Sequence, residues 1–142
     1  MRLLLTLALA APLALLALPP AGGAPLDESP LGDAMAELDD HLRTLRRTLK
    51  DPEARAKSLE AIVGLQGAVL RAKVEVPPMA NGLEGEARAT FVRDYRKAMI
   101  ALQQDVHLLE GHVLDGNDDE ALATFKLVRK HEDPGHDRFT EE

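Results

Sequence analysis

Apolar residues return along this chain every three or four positions. From about Ser29 to Lys50, Leu31, Met35, Leu38, Leu42, Leu45 and Leu49 are spaced by 4, 3, 4, 3 and 4. That spacing lays a single stripe along one face of an α-helix. A second helix is expected to open at "DPEA", with Asp51 as its cap and Pro52 in the first helical position, where the missing N–H does no harm. It continues through Ile62, Leu65, Val69, Ala72 and Val76, and Leu59, Val63, Leu70 and Val74 widen its apolar side. "PPMANG", residues 77–82, ends it in a loop. A third helix, Gly85 to Asp115, follows Val92, Tyr95, Met99, Leu102, Val106, Leu109 and Val113 and stops at Gly116. Asn117 or Asp118 then caps a fourth helix, expected to carry Ala121, Phe125, Val128, Glu132, His136 and Phe139 in one register.

No alternating β-branched run and no hairpin turn between such runs occurs, so strands are not expected. Helices of roughly 20 to 30 residues make rods of about 30 to 45 Å. The connections at 51 and 116–118 are short enough to force antiparallel neighbours. The expected fold is all-α, an antiparallel up-down-up-down four-helix bundle.

The N-terminal stretch does not belong to that bundle. Arg2 is followed by an apolar run from Leu3 to Leu18 and then by Ala21, Gly22 and Gly23. A charged start, an apolar middle and a small-residue exit form the layout of a secretory signal. The apolar part falls short of the roughly 20 residues a membrane span needs. Residues 1–23 are therefore expected to be a signal peptide and residues 24–142 one bundle domain. The full chain has a formal charge of −7, and losing Arg2 makes the exported domain one unit more negative. An acidic chain with 3% aromatic residues and no basic patch is a poor nucleic-acid binder. With no cysteine, disulfides, thiolate chemistry and a covalent CxxCH haem attachment are all excluded.

Bundle interiors commonly hold metals and cofactors, which makes inward polar residues the ones to examine. The carboxylate-bridged di-iron pattern needs Glu-x-x-His on two helices, whereas Glu110 precedes His112 by only two positions. "HLLEGH", residues 107–112, spaces its histidines by five, which turns them about 140° apart on a helix. His41 flanks the first stripe as a solvated rim residue. There is no HExxH, nucleophile elbow or glycine-rich phosphate loop, so nothing argues for an enzyme of hydrolytic or transferase type. Two stripe residues remain. Met35 lies near the start of the first helix and His136 near the end of the fourth. An antiparallel bundle brings those ends together across the core, where a thioether and an imidazole can serve a b-type haem iron as axial ligands.

The stretches "LGDAMAELDDHL", "AKVEVPP", "YRKAMIALQQDV" and "GNDDEALATFKLVRKHEDPGH" resemble the soluble cytochrome b562 family of periplasmic haem proteins. The likeness spans essentially residues 29–139. It implies electron transfer in the periplasm by non-covalently bound haem b, exchanged with redox partner proteins by a monomer with no membrane span in the mature chain. Met35 and His136 match the family's two ligands. Tyr95 and Met99 fall where the family has aromatic side chains near the porphyrin. Leu31, Leu38, Phe91, Val128 and Phe139 would wall the pocket, and Arg138 would neutralise a propionate. The chain departs from the family at "HEDPGH", residues 131–136, because the family's fourth helix runs unbroken through the histidine. Pro134 either kinks a continuing helix, or the helix stops near Glu132 and Asp133 caps a new turn beginning at Pro134. Two further readings stay open: a haem-free exported bundle acting as a protein-binding or scaffolding module, and a divalent-metal site built from His131, His136 and neighbouring acids. Gly64 and Gly67 fit either bundle reading, since they allow backbone or a flat ligand to approach closely.

Overall fold

The computed structural model describes residues 29–139, and the expected export signal, residues 1–23, lies outside them. The described residues form four long helices and a short fifth, with no strand among them. Helix α1 spans Pro30–Thr48. Ser29 caps it, its hydroxyl oxygen accepting from the Gly32 N–H at 3.0 Å, and Pro30 takes the first turn, where no N–H is needed. The second helix is delayed relative to expectation. Asp51 caps a single 3₁₀ turn, Pro52–Ala54, and α2 proper runs Arg55–Val74. A second 3₁₀ turn, Pro78–Gly82, occupies the expected loop.

Helix α3, Gly85–Asp115, has the expected ends. It closes in a Schellman motif: the Asn117 N–H donates to the His112 carbonyl at 2.9 Å and the Gly116 N–H to that of Val113 at 3.3 Å. Gly116 supplies the required left-handed residue, with φ of 74°. Helix α4, Asp118–Lys130, then starts with three acidic residues in its first turn, where the helix dipole favours negative charge.

The fourth helix does not run through to Phe139. It ends at Lys130, His131 forms a turn, and α5 occupies Glu132–Phe139. Proline has no N–H to return to the Lys130 carbonyl, so the ladder loses a rung there. The chain tightens at that point, with the His131 N–H donating to the Val128 carbonyl at 3.2 Å. The Gly135 N–H donates to the His131 carbonyl at 3.1 Å and restarts the helix. The break thus falls one to two residues earlier than a cap at Asp133 would place it.

Helices packed against one another are neighbours in the chain: α1 on α2, α2 on α3, α3 on α4, with α5 continuing from α4. Their buried stripes meet in one core, which includes Leu45, Ile62, Leu65, Val106, Leu109 and Val128. Polar ties fix the pairing: Arg71 to Glu37, Gln66 to Glu110 at 2.7 Å, and the Tyr95 hydroxyl to the Ala72 carbonyl at 2.8 Å. Two expectations change. Val63, Leu70 and Val74 lie at the surface and do not extend the core. His41 is half-buried at the rim and not fully solvated: its ring packs on Gly64, close enough that a methyl there would meet Nδ1 at 2.9 Å and Cε1 and Nε2 nearer still.

Candidate functional site

One end of the molecule encloses a cavity of about 220 Å³. The α1 stripe enters it with Leu31, Met35, Leu38 and Leu42, and α3 contributes Tyr95, Ala98, Met99 and Leu102. Val128 and His131 from the end of α4, and Gly135, Arg138 and Phe139 from α5, line the remaining wall. Most of the lining is aliphatic, thioether or aromatic, with Asp39, Lys130, Glu132 and Arg138 as its charged members.

Aromatic rings pack together at the end of the cavity. Phe139 stands edge-on to both Phe91 and Tyr95, with ring centroids 5.4 Å apart in each case, a favourable quadrupole arrangement. Tyr95 is buried with its hydroxyl committed to Ala72. Burial pushes its phenol up to about 12, and the charge of Glu75 adds to the effect. Outside the cap, Arg138 lies over the Phe139 ring at 5.4 Å and is paired with Asp94 at 2.6 Å.

The expected site residues Met35, Leu38, Tyr95, Met99 and Phe139 all border this one cavity. Leu38, Tyr95, Met99 and Phe139 are buried, while Met35 is half-buried at the more open end of its stripe. Leu31 and Val128 are in the wall as well. Phe91 supports the wall from behind through its contact with Phe139. His136 belongs to α5, one residue after cavity-lining Gly135, and the placement of its side chain lies outside the described part of the structure.

His131 has a place that periodicity did not reveal. It lines the cavity and its Nε2 lies 2.7 Å from Asp105 Oδ2 on α3. His131 lies three positions beyond buried Val128, at the turn between α4 and α5. Among the described residues, no three His, Cys, Asp or Glu side chains converge in a metal-binding group. No described helix is long and apolar enough to cross a membrane. No protein-family model matches the chain, and no curated protein matches it.

Proposed function

We propose that this chain is an exported b-type cytochrome, an antiparallel up-down-up-down bundle of the cytochrome b562 kind that carries electrons with non-covalently held haem b. The bundle-end cavity carries the reading, since Met35 stands in its α1 wall and α5, which bears His136, closes it. The antiparallel order is supported by ties that pair early residues of one helix with late ones of its neighbour, Glu37 with Arg71 and Tyr95 with Ala72.

The donor set fits the group. Met35 offers a thioether from α1 and His136 an imidazole from α5, a pair suited to a low-spin iron whose methionine ligand raises the potential. The bound group would supply one-electron chemistry between ferric and ferrous iron. Leu38, Met99 and Phe139 exclude water from the cavity. Tyr95 keeps its hydroxyl on Ala72, so the phenol does not compete as a ligand. Lys130 and Arg138 bring cations to the cavity edge for carboxylates. A volume of about 220 Å³ lies below the ~300–1,000 Å³ typical of ligand pockets. Holding a haem would therefore take more room than this cavity provides.

One observation favours a second reading, the haem-free binding or scaffolding module. Phe139 is only 6% exposed and already seals the bundle end against Phe91 and Tyr95. Thermal unfolding with and without haemin separates the two. A ligand that binds only the folded state stabilises it by about 2.7 kcal/mol at a hundredfold excess over its dissociation constant. A rise in Tm that Met35→Ala diminishes supports the cytochrome. An unchanged Tm supports the module.

A further inference from the structure

The bundle-end cavity, as it stands, has the size, shape and charge for a ligand smaller than a porphyrin. Its volume of about 220 Å³ exceeds the ~150 Å³ of an apolar cavity that takes up benzene and falls short of the ~300 Å³ where drug-sized pockets begin. At benzene's ratio of volume to carbon, that is room for about nine carbons. A sphere of that volume would be about 7.5 Å across, whereas the lining follows α1 from Leu31 to Leu42, about 16 Å at the helical rise, and α3 from Tyr95 to Leu102, about 10 Å. The void is therefore a slot, which suits an extended chain better than a compact ring. Charge around the slot singles out one residue. Asp39 is paired with Arg43 at 3.3 Å, Glu132 with Arg129 at 3.1 Å, His131 with Asp105 at 2.7 Å and Arg138 with Asp94 at 2.6 Å. Among the described residues, Lys130 is the charged member of the lining that has no such partner, and it is exposed.

We propose that the slot binds a medium-chain carboxylate, a saturated chain of about eight to ten carbons, with its head group on the Lys130 ammonium. The chain lies dry against Leu38, Met99 and Leu102, and the ion pair forms in water at the mouth, the division an amphiphile requires. One free cation answers one negative charge, which favours a carboxylate over a phosphate monoester, whose charge approaches two. Haem and such an acid would compete for the same space, yet the inference does not rest on the haem reading. Acid binding by a chain that rejects haemin, or haemin binding by a chain that rejects the acid, tells the two apart.

Methionine-methyl NMR and titration calorimetry on the purified chain without haemin, using the sodium salts of butanoic to dodecanoic acid, test it. Met35 and Met99 line the cavity, whereas Met79 sits in the Pro78–Gly82 turn outside it. Octanoate should shift the Met35 and Met99 methyl signals and leave that of Met79 unmoved. Affinity should rise about fourfold per methylene, the worth of one buried CH₂, and level off near ten carbons. Lys130→Ala should weaken octanoate about two- to fivefold, the scale of one exposed ion pair, and leave 1-octanol unchanged. Ala98→Leu narrows the slot by about three carbons and should bring the plateau that much earlier. The chain-length series and Lys130→Ala decide the matter even where Ala98→Leu fails to fold. Unmoved Met35 and Met99 signals at millimolar octanoate overturn the inference. So does an affinity that climbs without levelling through twelve carbons, which marks adsorption to the exposed surface, and so does an octanoate affinity indifferent to Lys130→Ala.

Discussion

Replacing Gly64 with alanine puts a methyl group where the His41 ring now lies. The new carbon would approach Nδ1 to 2.9 Å and the other two near ring atoms more closely. Carbon contacts are comfortable at about 3.5–4.0 Å, so the imidazole must retreat by roughly an ångström or swing out to solvent. Overpacking of this sort costs about 1–3 kcal/mol. Against that, alanine is better than glycine inside a helix by about 0.8–1.0 kcal/mol. The net expectation for Gly64→Ala is a loss of about 0–2 kcal/mol. In a His41→Ala background nothing blocks the methyl, and the same substitution should stabilise by roughly 1 kcal/mol. Urea unfolding followed by circular dichroism on the four proteins of the cycle measures a coupling of about 1–3 kcal/mol. Equal stabilisation in both backgrounds would refute the packing of His41 on Gly64.

Tyr95 is the chain's sole tyrosine, so its phenolate absorbance reports one group. The band should appear near pH 12, against about 10 for a free phenol. Because the folded value is raised, the stabilisation from the buried neutral phenol is complete below about pH 10 and is lost as pH climbs toward 12. Tyr95→Phe should flatten that alkaline loss. Gly116→Ala forces a side chain into the left-handed region and toward the Arg55 guanidinium, and should lower the urea midpoint by the equivalent of about 1–2 kcal/mol with an unchanged slope. Phe139→Ala removes the ring that docks α5, so amide exchange over residues 132–139 should accelerate while the middle of α3 stays protected.

The four apolar stripes were legible because helical periodicity and core burial express the same geometry. Leu38, Leu42, Leu45 and Leu49 are buried as their spacing requires, and Gly85–Asp115 has the ends that its punctuation indicated. Periodicity does not say whether Val63, Leu70 and Val74 deepen the core or face away from it, because extra apolar positions look alike in either case. Nor does periodicity reveal buried hydroxyls. Ser58 donates to Thr48 at 2.9 Å, which in turn donates to the Thr44 carbonyl, a chain built by two helices meeting and not by either stripe. At the cavity, Met35, Leu38, Tyr95, Met99 and Phe139 could be named because each lies on a stripe or matches the cytochrome b562 pattern. His131 could be named only for a divalent-metal reading, because its contact with Asp105 on α3 follows from two helices meeting and not from the α4 stripe.

The most direct measurement of the central claim is an absorption spectrum of the exported domain, residues 24–142, with haemin added, first oxidised and then reduced with dithionite. The proposal predicts a sharp Soret band and resolved α and β bands on reduction, lost in both Met35→Ala and His136→Ala. A broad spectrum of free haemin, with helical circular dichroism intact, would contradict it.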